Sequence, residues 1–154
     1  MKNNVIKPND LSFMNQIDNT FSFFYFNEKQ FILLPTFIKK FSDVHYDFYG
    51  QSTKISMIGK YDQKLCLDFK INHIVSDHSK SSFSIALNMD SSLIIFNEID
   101  SFNEELKNQI LQSIYSTHVC LFFNCKADLS FLSESQRHVY NLNNLTIENK
   151  FKNF

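Results

Sequence analysis

The sequence predicts an α/β fold with a mostly parallel sheet, and three observations carry that reading. Residues 92–96 (SLIIF) and 119–123 (VCLFF) are almost continuous apolar runs, the pattern of strands buried on both faces. Between them Phe102, Leu106, Ile110 and Ile114 recur every four residues, one apolar helix stripe laid against a sheet. Strand, helix and strand in that order form a crossover unit, and such connections are right-handed. At 154 residues the chain suits one domain that buries roughly two thirds of its extended surface.

Taken in order, residues 1–20 are polar and irregular apart from a short apolar rhythm at Leu11, Phe13, Met14 and Ile17. Residues 21–26 (FSFFYF), 27–30 (NEKQ) and 31–34 (FILL) read as strand, turn and strand, without the Asn-Gly pair of a tight hairpin. Alternation sends Phe24 and Phe26 to one face and Phe21, Phe23 and Tyr25 to the other, so the segment is a central strand or an interface edge. Pro35 opens a helix reaching Phe41, and residues 46–50 (YDFYG) form a turn. Residues 54–59 (KISMIG) are a strand ending at glycine. In residues 64–75 (KLCLDFKINHIV), Leu65, Leu67, Phe69 and Ile71 alternate as in a strand, while Leu67, Ile71, Ile74 and Val75 share a helical face. Residues 83–87 (FSIAL) read as a strand. The later helix opens on a capping box: Ser101 accepts from the amide near Glu104, and Glu104 answers at the Ser101 amide. Residues 133–140 read as a helix and residues 142–147 as a strand.

Composition narrows the function. There are 18 Phe, 18 Ser and 17 Asn against two Ala, two Gly and one Arg, so the core is built from large rings. The 15 basic residues nearly balance the 16 acidic ones, and only Arg137 offers a bidentate fork, which disfavours nucleic acid as a direct partner. No apolar window is long enough to span a membrane, and the polar start does not resemble a signal peptide. Three cysteines are no disulfide framework, and a reduced cytoplasmic setting is expected. His118, Cys120, Cys125 and His138 match no closed zinc spacing, and strand parity sends Cys120 and Cys125 to opposite sides, so no metal or other cofactor is expected. Cys66 with His73 is a disfavoured nucleophile–base pair. Glu98 and Asp100 flank Ile99 at a strand's carboxyl end, where α/β sites gather, although a hydrogen-bonding turn ahead of Ser101 is the plainer reading.

Residues 89–113 (MDSSLIIFNEIDSFNEELKNQILQS) resemble the Walker B region of the AAA+ domain in sigma-54-dependent transcriptional activators. There a strand of the form G-T-L-F-L-D-E-I precedes a helix continuing L-Q-x-x-L-L-R-x-L. Residues 119–129 (VCLFFNCKADL) resemble the following sensor I strand, and residues 133–147 (SESQRHVYNLNNLTI) resemble F-R-E-D-L-Y-Y-R-L-N-V-L-T-I. Upstream, residues 54–88 lie along the Walker A strand, its helix and the second strand, which argues for a helix at residues 64–75. The resemblance covers residues 36–150 and implies a three-layer α/β/α P-loop-NTPase-like core, preceded by an N-terminal segment, residues 1–35.

The departures from the family decide the expected function. The Walker A loop G-E-S-G-T-G-K-E is replaced by Gly59-Lys60-Tyr61-Asp62-Gln63-Lys64, one residue short and with one glycine. Its amides cannot readily form a phosphate nest, and no Ser or Thr follows Lys64 to hold magnesium. The metal-organising aspartate falls at Asn97, while Glu98 keeps the water-activating position. The sensor I asparagine aligns with Lys126, or with Asn124 after a slip of two. Arginine-finger positions fall at Ser135 and Asn141, with Arg137 out of register. The sigma-54-contacting loop is missing, and the sequence ends before the lid and helix-turn-helix would follow.

The reading is therefore a degenerate nucleotide site at Gly59, Lys60, Lys64, Asn97, Glu98 and Lys126, in a protein that is not an enzyme. It is expected to act as a transcription-related protein-binding module, through a homodimer or another protein such as an intact AAA+ activator. Candidate interface residues are Phe21, Phe23, Tyr25, Ser135 and Arg137. Two alternatives stand beside it: a weak nucleotide hydrolase using Glu98 with Lys60 or Lys64 on phosphate, and a DNA-associated regulator acting as a dimer.

Overall fold

The computed structural model describes residues 21–26, 33–74, 80–113, 118–135 and 138–142. Strands and helices alternate as β1 (Phe21–Phe26), α1 (Leu33–Tyr49), β2 (Ile55–Gly59), α2 (Gln63–Phe69), β3 (Asn72–Ile74), α3 (Lys80–Asn88), β4 (Leu93–Asn97), α4 (Glu104–Gln112) and β5 (His118–Phe123). A 3-10 helix (Ser130–Glu134) and β6 (His138–Asn141) complete the order. The strands form one six-stranded sheet, ordered β3-β2-β4-β5-β1-β6, and every pairing is parallel. No helix among the described residues is long and apolar enough to cross a membrane.

Strand alternation divides the core into two apolar layers. Phe24, Met57, Ile95, Leu121 and Tyr140 pack under α1 and α2, which contribute Phe37, Ile38, Phe41, Leu65 and Cys66. Phe23, Ile58, Phe96, Phe122 and Val139 pack on the other face, against Phe83 and Ala86 of α3, Leu106 and Ile110 of α4, and the 3-10 residues Phe131 and Leu132. Connections that step toward the β3 edge run over the first face, and those that step toward β6 run over the second. All five crossovers therefore share one hand, as the crossover rule for twisted parallel sheets requires. Rings fill the second layer: Phe96 stacks on Phe122 at 4.9 Å, and Phe102 meets both edge-on at 5.6 and 5.9 Å.

The β4–α4–β5 unit forms as the apolar pattern predicts, with Leu93 opposite Val119 and Asn97 opposite Phe123. Other segments differ from expectation. The hairpin expected at residues 21–34 is not seen among the described residues: β1 pairs in parallel with β5 and β6 as an interior strand, Leu33 and Leu34 open α1, and residues 27–32 lie outside the described residues. Two faces of large rings fit a strand covered on both sides, the central-strand half of the sequence reading. The α1 helix runs eight residues beyond Phe41, to Tyr49, because Phe37, Phe41 and His45 continue one buried stripe. The turn reduces to Gly50, whose φ of +69° is the left-handed region that glycine favours.

Residues 83–87 are part of α3 rather than a strand. Phe83 and Ala86 are buried while Ile85 is 48 % exposed, a spacing of three that suits a helix, and the two-residue alternation was incidental. Residues 64–75 divide, with α2 ending where Lys70 adopts φ 56° and β3 following directly. The cap of α4 is Asn103, whose side chain accepts from the Leu106 amide at 2.8 Å, so the cap lies two residues beyond the anticipated Ser101, and Leu106 in the third helical position cannot close a box. The helix expected at residues 133–140 is a 3-10 turn followed by a strand. Of the strand expected at residues 142–147, only Leu142 lies within the described residues, and it is buried.

Candidate functional site

In an open α/β sheet a crevice forms where adjacent strands send their following helices to opposite faces. Here that happens between β2, followed by α2 on the first face, and β4, followed by α4 on the second. The carboxyl ends of these strands bring together Gly59, Lys60, Asn97 and Glu98, four of the six degenerate-site positions.

The two strand ends are laced to each other. The Lys60 amide donates to the Asn97 carbonyl at 3.0 Å, and the Asn97 Nδ2 donates back to the Lys60 carbonyl at 2.8 Å. Asn97 is 2 % exposed; its Nδ2 also lies 3.9 Å from Met57 Sδ, and its Oδ1 is buried without a hydrogen-bond partner. Gly59 sits at φ +110°, and a Cβ placed there would collide with the Asn97 carbonyl oxygen. Glycine is required at this close approach as well as for the backbone angle. The His73 Nε2–H donates to the Gly59 carbonyl at 2.9 Å, and the Tyr61 ring lies against His73 at 5.0 Å.

The next turn is similarly self-satisfied. Asp62 caps α2 by accepting from the Leu65 amide at 3.0 Å, while the Cys66 amide donates to the Asp62 carbonyl at 3.0 Å. Lys64 pairs with Asp68 at 3.0 Å on the exposed face of α2. The Lys60–Glu98 ion pair spans 3.7 Å, but Lys60 is 68 % exposed, so water screens it and it adds little stability. Glu98 adopts φ 54° and its amide donates to the Phe123 carbonyl at 2.9 Å, fixing the end of β4 to β5. The carbonyl of Ile99 accepts from the Lys126 and Ala127 amides at 3.1 and 3.3 Å; the Lys126 side chain is exposed. Glu98 and Ile99 are thus tied to the end of β5 and the residues that follow it, and the hydrogen-bonding turn anticipated ahead of Ser101 is not seen among the described residues.

The remaining predicted residues are dispersed. Phe23 is fully buried, edge-on to Phe122 at 6.0 Å, and presents no surface. Tyr25 is half-buried, and burial pushes its phenol above the usual range. Phe21 is in β1 without a described side chain, Ser135 is half-buried with its amide on the Leu132 carbonyl, and Arg137 lies outside the described residues. Cys120 and Cys125 do not face opposite sides: both pack in the second layer, because Cys125 lies beyond the end of β5, where strand parity no longer applies. The Cys125 thiol donates to the Phe96 carbonyl at 3.4 Å, and burial pushes its pKa up to about 12. His118 is at the opposite end of β5, about 17 Å away along the strand. Among the described residues no group of three His, Cys, Asp or Glu is placed to hold a metal. Burial also raises the Cys66 thiol, which makes it a poorer nucleophile.

Sequence reasoning missed the lacing of Lys60 to Asn97, because the β2–β4 pairing joins segments almost forty residues apart. One signal was available: a lone glycine ending an apolar strand often marks a close backbone approach. It also missed a second switch point, between β1 and β5, whose following connections use opposite faces. The connection after β1, residues 27–32, lies outside the described residues.

No family model matches the chain. None of the curated proteins matches it either.

Proposed function

We propose that this chain is a non-catalytic, AAA+-like module that works by binding protein, in a transcription-related role, through self-association or a partner. The reading rests on the family resemblance at residues 92–147 together with a sheet-end geometry suited to closure. One observation carries it: the amides of Lys60, Leu65 and Cys66 are engaged by Asn97 and Asp62 within the chain, where a phosphate site would need them directed outward. The neutral Asn97 amide fills the place where the family has a metal-organising carboxylate, and it is hydrogen-bonded to the chain itself. Glu98, the residue left to activate water, is paired with Lys60 instead.

Calorimetric titration with ATP and magnesium tests the reading, with no binding heat expected up to about millimolar ligand. Saturable, magnesium-dependent binding, or phosphate release lost in Glu98→Gln, would overturn it. Light scattering then separates self-association from a requirement for another protein: a mass that rises with concentration identifies the first.

A further inference from the structure

A groove of about 380 Å³ lies on the outer side of the first layer, lined by Pro35, Thr36, Lys39, Lys40 and Asp43 of α1 and Phe69 of α2. The α1 residues fall at positions i, i+1, i+4, i+5 and i+8, so they form one flank of two helical turns, about 12 Å long. Phe69 is only partly buried; its ring packs on the core and forms the groove's apolar wall opposite that flank.

The charge around this wall is unbalanced. Asp43 is held by Lys39 at 3.7 Å and Asp68 by Lys64 at 3.0 Å, each within its own helix. Lys40, and Lys70 immediately after Phe69, have no ion-pair partner among the described residues. Lys40 therefore lines the groove beside an aromatic wall with no ion-pair partner among the described residues, while Lys39 sits by Asp43, so the lining carries one net positive charge. Lysine stems extend such a wall while their charged ends stay in water. An extended peptide of about four residues spans the flank, and a volume of this size accepts one large side chain. A phosphate polymer would need more cations and arginine forks, which this surface does not have.

We propose that this groove binds an acidic segment of a partner protein, anchored by one aromatic or large aliphatic side chain against Phe69 with its carboxylates toward Lys40. The inference deepens the protein-binding reading and rests on it. It names the surface and the chemistry of the partner.

The test is selection of a displayed library of random short peptides on the intact protein, followed by anisotropy measurements on the enriched peptides. Enriched sequences are expected to place Asp or Glu beside Phe, Leu or Ile. Lys40→Glu should weaken their binding about tenfold or more, and raised salt should weaken it as well. Phe69→Ala should abolish binding, and Gln112→Glu, at an exposed position of α4 over the opposite face of the sheet, should leave it unchanged. Circular dichroism on each variant separates lost binding from lost folding, and the half-buried Lys40 on the groove's flank gives a second arm to read if Phe69→Ala unfolds. Failure to enrich, enrichment of neutral or basic peptides, or equal binding to Lys40→Glu overturns the groove assignment. Tighter binding to phosphatidylserine vesicles or duplex DNA with the same Lys40 dependence also overturns it. Peptides that bind but ignore Lys40 and Phe69 would leave protein binding standing and remove only this surface, whereas nucleotide hydrolysis would remove the underlying reading.

Discussion

Replacing Asn97 with aspartate restores, on paper, the carboxylate that the resembling family uses to organise its metal. The structure predicts that the change damages the fold and gains no ligand. Asn97 is 2 % exposed, and its Nδ2 donates to the Lys60 carbonyl at 2.8 Å. A carboxylate would remove the donor and set a negative oxygen against that carbonyl. Leaving a buried acceptor unpaired costs about 1–3 kcal/mol. Burying the charge adds to this until the group takes up a proton, and the exposed Lys60 ammonium offsets it weakly. A net loss of about 3 kcal/mol at neutral pH follows. With a urea slope of about 2 kcal/mol/M, the unfolding midpoint should fall by about 1.5 M. The sign with pH is fixed as well. Burial raises the folded-state pKa of the new carboxyl above its unfolded value of about 3.9, so the folded state binds the proton more tightly. The deficit is full above the raised value and shrinks as pH falls through it, since the protonated acid can again donate to Lys60. Urea melts of both proteins at pH 7 and pH 5, with magnesium–ATP calorimetry, test the whole chain of reasoning. Equal stability at pH 7, or magnesium-dependent nucleotide binding by the variant, would refute it.

Gly59→Ala should destabilise by about 2–4 kcal/mol in the same melts, because the added methyl meets the Asn97 carbonyl at a left-handed backbone position. Asn103→Ala should cost about 1 kcal/mol, as loss of a helix cap does, while Ser101→Ala should be nearly neutral; the reverse order would restore the box anticipated from sequence. His45 is 8 % exposed, stacked between Phe41 and Tyr49, and its imidazole pKa is lowered by burial against a hydrogen bond to the Gln51 carbonyl. Its neutral form is favoured in the folded state, so its contribution is full above the unfolded value of about 6.5 and is lost as pH falls below it. His45→Phe should therefore flatten the fall in stability between pH 7 and pH 5.

Much of the sheet was legible because buried parallel strands advertise themselves as apolar runs, as at β4 and β5. The same signal misleads where an apolar run is short. FSIAL alternates like a strand, yet Ile85 points to solvent once Phe83 and Ala86 take the buried helical positions. FSFFYF was readable as apolar on both faces, but its neighbours are strands about a hundred residues later in the sequence, and local turn residues say nothing about such a partner. The degenerate positions were legible one by one. Their lacing was not, because the Lys60–Asn97 exchange depends on register across β2 and β4. The groove at Phe69 was invisible for a similar reason: α1 and α2 each look like ordinary amphipathic helices, and only their juxtaposition sets Lys40, unpaired among the described residues, across from that ring.

Closure at the β2–β4 end is carried largely by main-chain atoms, and this limits what substitutions can recover. Lys60 N–H to Asn97 C=O is a backbone bond, and so is Cys66 N–H to Asp62 C=O. Gly59 already supplies the freest backbone available, and even there the space beyond its Cα is taken by the Asn97 carbonyl. Reinstating the family carboxylate at Asn97 would change the charge beside a turn whose Lys60, Leu65 and Cys66 amides stay engaged within the chain. A phosphate site here would require added residues between Gly59 and Gln63, enough to lift the turn away from β4. Loops of that kind tolerate insertion readily, so the short turn is open to experiment. A variant with a longer, glycine-containing loop that folds and still ignores phosphate would locate the block in Asn97 and β4, and one that binds phosphate would locate it in the length of the turn.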